Sequence, residues 1–524
     1  MISPTEGGCA MPTETELKLR LDAAGLRRMR RHPLIQRLKQ DRPLTRFQKS
    51  VYFDTSDFYL KQHKIILRVR HIGRRRIQTV KDYGSLVGGA RARGEWESEI
   101  TGDLPDLALL QSGEQAPLFA DGRLNRSLQP VFTSEIRRST YRLGAEDWQI
   151  ELALDEGHIV SAYGSVAVSE AELELKQGQP RDLFDLALKL QEDLPFVIST
   201  ATKAELGYAL LDGKPQLPQK AHPVALIADF SAKDAFRAIA RGCLEQFLVN
   251  QACLIDSQSP EALHQMRVAL RRLRSAFSIF KAFFDTPESQ WLKEELAWLL
   301  APLGAARDSE VFFEEIFEPL ADKLADEPGY LLLRDDFQAQ RRDTYKAALA
   351  LQNSPRLTHL LLCLGRWIEA GDWMSVDDAA RLSALEMPAR QLAETTLAKL
   401  ERKACRGMTH LAKSDVHARH ETRIQIKKLR YSIDFFYTLF HHSRGKRLGE
   451  FLGVLQDRLG QINDIAVGRL RLTHHAASIG DADRLWAAGM IAGWHMARID
   501  PLLKQAAEDW RRYDKQARFW PRKG

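Results

Sequence analysis

The period of the hydrophobic pattern changes once along this chain, and that change limits the folds open to it. From residue 12 to about 211, apolar and polar residues mostly alternate, as where Thr15, Leu17 and Leu19 interleave with Glu14, Glu16 and Lys18. After a stretch at 212–224 that holds three prolines and no apolar periodicity, the period becomes 3.6, in long segments rich in Leu, Ala and Arg. A chain of 524 residues exceeds the size at which one core keeps growing. The pattern therefore predicts a multidomain α+β protein: a β domain at 1–211, a linker at 212–224, and an all-α domain at 225–515.

In the first part the alternation predicts strands at 13–21, 47–54, 64–72, 75–82, 93–101, 131–143, 148–155, 158–163 and 167–176, with a turn at Asp155-Glu156-Gly157 and helices near 23–40 and 181–194. So many strands in about 200 residues suggest an antiparallel sheet closed on itself, which removes its edges and creates an interior. The second part predicts helices at 232–255, 260–284, 288–304, 308–325, 331–351, 355–370, 386–413, 415–441, 446–461 and 464–477. It also repeats itself. His264, Arg267, Arg271, Arg272 and Arg274 match His420, Arg423, Lys427, Lys428 and Arg430, and Leu303-Gly304-x-x-x-Asp308 matches Leu459-Gly460-x-x-x-Asp464, every pair at one common offset. Two blocks at one offset indicate a duplicated helical unit that brings two basic helices toward one groove.

Charge shares a parity in the β part. Glu14, Glu16 and Lys18 lie on one face of their strand, and Glu170, Glu172, Glu174 and Lys176 on one face of another. Arg68 and Arg70 alternate on a third, Thr79 and Lys81 on a fourth, and Arg91, Arg93, Glu95 and Glu97 on a fifth, with Arg138, Asp155 and Lys203 further along. On one strand such a face is simply wet, but a closed barrel must turn one parity inward. Charges placed there must be paired or bind something. Of 76 basic and 69 acidic residues, 30 and 29 fall in 1–211, so acids and bases are balanced there, and the remainder holds 46 against 40.

Residue chemistry divides these groups by role. Glu14, Glu16, Asp155, Glu170 and Glu172 are hard oxygen donors suited to Mg²⁺ or Mn²⁺, which keep phosphate oxygens and waters in their shells. Lys18, Arg68, Arg70, Lys81, Arg138 and Lys203 suit phosphate oxygens, the arginines in bidentate fashion. Phosphoryl transfer needs alignment and charge stabilisation rather than a protein nucleophile. The catalytic candidates are Glu14, Glu16, Lys18, Lys81, Glu170 and Glu172.

The ordered motifs Glu14-x-Glu16-x-Lys18, Tyr52-Phe53-Asp54-Thr55, Leu67-Arg68-Val69-Arg70, Thr79-Val80-Lys81, Arg93-Gly94-Glu95-Trp96-Glu97, Leu154-Asp155-x-Gly157 and Glu170-x-Glu172-x-Glu174 resemble the CYTH superfamily of triphosphate tunnel metalloenzymes. The resemblance implies an antiparallel tunnel barrel and metal-dependent hydrolysis of a triphosphate, here tripolyphosphate to pyrophosphate and phosphate. It carries the roles above to Glu14, Glu16, Lys18, Arg68, Arg70, Lys81, Arg138, Asp155, Glu170, Glu172 and Lys203. Arg138 rather than Arg137 is assigned inward, and Glu95 and Glu97 are both left open as neighbours of the metal. Hydrolysis of nucleoside or thiamine triphosphate, adenylate cyclisation, and non-catalytic polyphosphate binding are the competing readings.

The helical part is similar to the CHAD domain. His264, Arg267, Arg271 and Arg274 form one helical stripe, which His420, Arg423, Lys427 and Arg430 reproduce. The resemblance implies polyphosphate binding by these eight residues, with the steep salt dependence of polyanion contacts. Without an aromatic platform beside the stripes, nucleic acid is the weaker ligand. The His441-His442 and His474-His475 pairs read as surface or packing histidines, and Trp291, Trp298, Phe312, Phe313, Phe435 and Phe436 as core. Five scattered cysteines form no metal or disulfide framework. No apolar run reaches the roughly 20 residues of a membrane span. These features predict a cytoplasmic protein associated with polyphosphate granules, with residues 1–10 a dispensable leader before Met11. Oligomeric state is not legible.

Overall fold

The computed structural model describes residues 13–110, 116–120, 122–213, 216–284, 286–374, 378–440 and 442–521. The proposed leader and His441 lie outside these residues, as does the side chain of His442. Among the described residues the first part contains ten strands: β1 Thr13–Arg20, β2 Leu44–Asp54, β3 Ile65–Ile72, β4 Arg75–Asp82, β5 Ser85–Val87, β6 Ala90–Ile100, β7 Gln129–Gly144, β8 Gln149–Ser161, β9 Gly164–Gln177 and β10 Val197–Ser199. All strand pairings in the ladder are antiparallel, in the order β1-β9-β8-β7-β2-β3-β4-β6. The first half of β1 then pairs back onto β6, from Thr13 opposite Gly94 to Glu16 opposite Arg91, so eight strands close a barrel. The second half of β1 pairs with β10 instead, Lys18 opposite Ser199.

Closure makes both faces of β1 interior. Leu17 and Leu19 are fully buried on the outer side, where the helices Ala23–Arg31 and Pro180–Gln191 cover the barrel with Leu26, Met29, Leu183, Phe184 and Leu190. Glu16 and Lys18, on the inner side, are 2% and 5% exposed. Burying one leucine contributes roughly 1.5–3 kcal/mol. Burying one unpaired charge costs more than that, so the lumen must balance its own charges. Away from the charged region, Tyr52, Ile66, Phe132, Ile136, Ile159 and Val168 fill the interior and pack against Ala204 and Tyr208 of the helix Lys203–Asp212.

The structure corrects several boundaries. Asp155-Glu156-Gly157 is no turn, for β8 runs unbroken from Gln149 to Ser161. Gly157 reads as a turn residue, but it serves close packing: a Cβ there would lie 2.0 Å from Glu135 O on β7. The helix expected at 23–40 is two, Ala23–Arg31 and Pro33–Leu38, because the residue before a proline is pushed out of the helical region; His32 sits at φ −60°, ψ 130°. β5 and β10 escape detection because three residues hold too little alternation.

Chain contacts separate two compact units. One comprises Met1–Pro218, Leu248–Gln258 and Asn353–Ala370, and the other Gln219–Phe247, Ser259–Gln352 and Gly371–Gly524. The helix Pro355–Ala370, assigned from its period to the helical domain, thus belongs with the barrel. It packs on Pro180–Gln191, joined by Thr358 Oγ1 to Phe196 O at 3.0 Å and Arg366 to Asp185 at 2.5 Å. A Cβ on Gly365 would stand 2.1 Å from Gly88 O, so only glycine admits that backbone approach.

The second unit is helical throughout its regular structure. Pro287–Phe312 and His442–Ile479 are continuous, so the breaks expected near Gly304 and Gly460 do not occur, whereas 386–413 is divided at Met387-Pro388 into Ala379–Glu386 and Ala389–His410. Helices Ala482–Met496 and Ile499–Asp514 follow. Phe312, Phe313, Phe435 and Phe436 are core, and Trp291 and Trp298 are half-buried. Among the described residues no helix is long and apolar enough to cross a membrane.

A charged barrel lumen as the candidate active site

The barrel encloses a cavity of about 210 Å³. Its lining contains eight carboxylates (Glu14, Glu16, Glu95, Glu97, Glu151, Asp155, Glu172, Glu174) and eight cations (Lys18, Arg68, Arg70, Lys81, Arg93, Arg138, Lys176, Lys203). Every one is delivered by the inward parity of a strand, except Lys203, which starts the helix Lys203–Asp212 and reaches in from the side. Arg138 points inward while Arg137 is exposed, and Glu95 and Glu97 both line the cavity.

Two carboxylate groups emerge. Asp155, Glu170 and Glu172 each bring an oxygen within 4.8 Å of the others. The Lys203 ammonium lies among them, 2.7 Å from Asp155 and 3.0 Å from Glu172 and also bonded to Glu170. Arg138 grips Asp155 through two bonds of 2.7 and 2.6 Å and also reaches Glu172. Glu14 and Glu16 form the second group, tied by Arg93 Nε to Glu14 at 3.2 Å and by Arg93 Nη2 to Glu16 at 2.7 Å. Lys81 adds 2.9 Å to Glu14 and 2.7 Å to Glu95. Lys18 stands between the groups, 2.6 Å from Glu172 and 3.6 Å from Glu16.

Electrostatics follow from this pairing. Burial disfavours the charge of Glu172, but Lys18, Lys203 and Arg138 outweigh it and hold the carboxyl well below its ordinary range. Asp155 is lowered for the same reason, burial being overcome by Arg138 and Lys203. Lys203 is raised well above its usual value against burial, by Asp155, Glu170 and Glu172. For two other cations burial and neighbouring positive charge outweigh the acids beside them. Arg70 is pushed down to about 10 by burial, Arg68 and Arg138, and Lys81 is lowered by burial, Arg68 and Arg93. The Nε atoms of Arg68 and Arg70 are buried and have no hydrogen-bond partner among the described residues. One part of the lumen therefore has donors waiting for an anion, and another has hard oxygen donors of the kind Mg²⁺ and Mn²⁺ take.

Beside Glu95 and Glu97, left open, sequence reasoning gave no role to four of these groups, Arg93, Glu151, Glu174 and Lys176. Arg93 shares the parity of Glu95 and Glu97, and the register that sets it beside Glu14 becomes visible only on closure. Glu174 and Glu151 face each other across β8 and β9. Burial, with Glu14 and Glu151 nearby and Lys176 opposing, pushes the Glu174 carboxyl up to about 7.

In the helical unit the stripes lie on Pro260–Ile279 and Val416–Phe436. Each repeated arginine addresses the repeated Leu-Gly-x-x-x-Asp segment of its own copy. Arg267 donates to Leu303 O at 3.1 Å and to Gly304 O, and pairs with Asp308 at 3.1 Å; Arg423 lies beside Gly460 and feels Asp464. The copies also sense one another. Lys427 is pushed down to about 7 by burial, by Arg423, and by Arg271 and Arg267 of the other copy. His264 is lowered to about 4 by burial and Arg307, a cation the repeat hid because Asn463 stands at the matching place. His420 Nδ1 contacts that Asn463 at 2.9 Å. Arg274 and His420 are exposed, and Arg430 is half-buried. His475 is no isolated surface residue: its Nε2 meets Asp336 at 3.1 Å, which also holds Arg484 at 2.9 Å.

Comparison with known proteins finds one family model on the barrel segment and another on the helical part. The model of the CYTH domain matches residues 12–208, and that of the CHAD domain matches residues 238–473. An inorganic triphosphatase of Haemophilus influenzae is 32% identical over 168 residues, 31% of this chain and 46% of that protein. An uncharacterized protein of Mycobacterium tuberculosis is 26% identical over 257 residues, 48% of this chain and 47% of its own. The matched segments thus span about half the length of these two relatives. The crystal structure of the CHAD domain from the plant Ricinus communis is 29% identical with a TM-score of 0.47, covering 56% of this chain and 97% of that one. The chain carries a CYTH domain in its N-terminal barrel and a CHAD domain in its helical part.

Proposed function

We propose that the barrel is a metal-dependent inorganic triphosphatase, converting tripolyphosphate and water to pyrophosphate and phosphate, and that the helical domain binds polyphosphate. The observation that carries the reading is the charge-balanced closed lumen in which Arg68 and Arg70 keep unpartnered buried donors. Lys18, Arg68, Arg70, Lys81, Arg138 and Lys203 bind and align the phosphate oxygens. Glu14, Glu16, Asp155, Glu170 and Glu172 hold the cation. A bound Mg²⁺ or Mn²⁺ supplies charge neutralisation and acidifies the attacking water. Among the described residues Tyr52 is the one aromatic side chain lining the cavity, and its phenol is engaged with Arg68. That leaves no stacking platform for a base or a thiazolium, and it favours an inorganic substrate. The segment 32% identical to an inorganic triphosphatase supports the same choice.

The clustered cations of the two helical copies, with Lys427 and Arg423 both lowered by burial and by neighbouring arginines against the pull of Asp464, suit a chain of phosphates. A phosphate-release panel of tripolyphosphate, ATP, thiamine triphosphate and long-chain polyphosphate, with Mg²⁺ and Mn²⁺ in turn, tests the whole reading. Metal-dependent turnover of tripolyphosphate should lead, and Glu14→Ala or Glu16→Ala should abolish it in a folded protein. Preference for a nucleotide would overturn the substrate, and no release with either metal would overturn the enzyme.

A further inference from the structure

Arg93 sits on the seam where the barrel closes. It lies opposite Glu14 in the β1–β6 pair and is 7% exposed. Its Nε and Nη2 engage Glu14 and Glu16 at 3.2 and 2.7 Å, and among the described residues these are its only ion-pair partners. Lys81 differs, because it holds Glu95 as well as Glu14 and keeps a partner if Glu14 turns away. Arg93 has no such second partner. Burial disfavours its charge, and Glu16 and Glu14 overcome that and raise it. A divalent cation drawn to Glu14 and Glu16 must therefore compete with a guanidinium already bonded to both.

We propose that Arg93 is the resident counter-ion of the Glu14–Glu16 carboxylates, and that a divalent cation binding them displaces its guanidinium into the lumen, where it joins the phosphate-binding cations. The proposal rests on the metal-binding reading above. A buried guanidinium left without an anion is costly, so the metal alone binds weakly and the metal with a phosphate binds well. Arg93 is in this sense a positioning residue: it makes occupation of the carboxylates conditional on an anion arriving with the metal.

The test is calorimetric titration of the full chain with Mn²⁺ in the absence of phosphate, alongside thermal unfolding with and without Mn²⁺. Arg93→Gln should bind Mn²⁺ about tenfold more tightly than the parent, the order of one charge-assisted hydrogen bond removed from the competition. It should unfold at a lower temperature without metal and gain more from Mn²⁺ than the parent does. Arg93→Lys keeps the charge but loses the planar fork that now engages Glu14 and Glu16 through separate nitrogens, so it should fall between the two and serves if the glutamine variant does not fold. A parent that binds Mn²⁺, with both variants binding it equally or less tightly, would overturn the proposal and leave the metal site standing. No Mn²⁺ binding by the parent or by either variant would overturn both.

Discussion

Lys203→Met tests whether the lumen is held together by charge balance. The ammonium touches Asp155, Glu170 and Glu172, and removing it leaves three buried carboxylates within 4.8 Å with only Arg138 and Lys18 to offset them. Asp155 and Glu172 have folded values below the ordinary carboxylate range, so their stabilisation is present above about pH 4 and is lost as pH falls through those depressed values. Lys203 has a folded value above the ordinary one, so its share is complete below about pH 10 and is lost only at higher pH. The network is thus fully formed near pH 8. Breaking a buried pair there costs about 3–5 kcal/mol. For a unit of this size that lowers the midpoint by about 6–20 °C. At pH 5 the stranded carboxyls can take up a proton, and the loss should shrink. Mn²⁺ at about a hundred times its dissociation constant should return about 2.7 kcal/mol by mass action. Two units make a single unfolding free energy ill-defined, so hydrogen exchange on β8 and β9 at pH 5 and 8 is the assay to use with the midpoint. Protection at pH 8 equal to that of the parent would refute the reasoning.

Arg70→Met should behave in the opposite sense. Its charge is buried beside Arg68 and Arg138 without an ion-pair partner among the described residues, so its loss should leave the ligand-free barrel as stable or more so while raising KM for tripolyphosphate at least tenfold. Lys427, with its amine at about 7, should give polyphosphate affinity that falls about tenfold between pH 6 and 8 at fixed salt, as binding comes to require a proton from solution. Lys427→Arg should flatten that slope in a fluorescence-anisotropy titration. Gly157→Ala, whose methyl group would meet Glu135 O at 2.0 Å, should cost roughly 2–4 kcal/mol and lower the thermal midpoint, although the strand pattern is unchanged.

What was legible in the chain followed from periodicity. Glu14, Glu16 and Lys18 alternate with Leu17 and Leu19 on β1; closure turned the charged face into the lumen, and the covering helices buried the apolar one. The common offset in the helical part exposed the duplication, and the structure explains why two separate motifs travel together, since Arg267 docks on the Leu303-Gly304 carbonyls and Asp308. What was not legible depends on register and on contacts between distant segments. Arg93 meets Glu14 only because β1 pairs with β6 at its first half, and nothing in either strand fixes that alignment. Arg307 was hidden because its counterpart is Asn463. Helix Pro355–Ala370 has the same period as its neighbours, so its place with the barrel could not be read from period at all. It also means that cutting the chain at residue 222 removes a helix whose Leu357, Leu360 and Trp367 are buried, which makes such a truncation a poor probe of the barrel's chemistry.

The same balance of charge constrains how the lumen can bind. With Glu170 beside them, the eight carboxylates and eight cations that line the cavity leave it close to neutral, so a triphosphate entering alone would make it strongly negative and a divalent cation entering alone would make it positive. Either event would strand buried charge, whereas a metal–phosphate complex would let partners exchange: the carboxylates would hold the metal, and the lysines and arginines that now hold them would turn to phosphate oxygens. The cations freed would be those that now hold acids, Arg93, Lys203, Lys18, Lys81 and Arg138, and they would add to Arg68 and Arg70, whose Nε atoms are without hydrogen-bond partners among the described residues. A barrel built this way discriminates by total charge as much as by shape. That is why one lumen needs both characters, and why β1, β6 and β9 each bring acids and a base to it, as Glu14 and Lys18 do on the same face of β1.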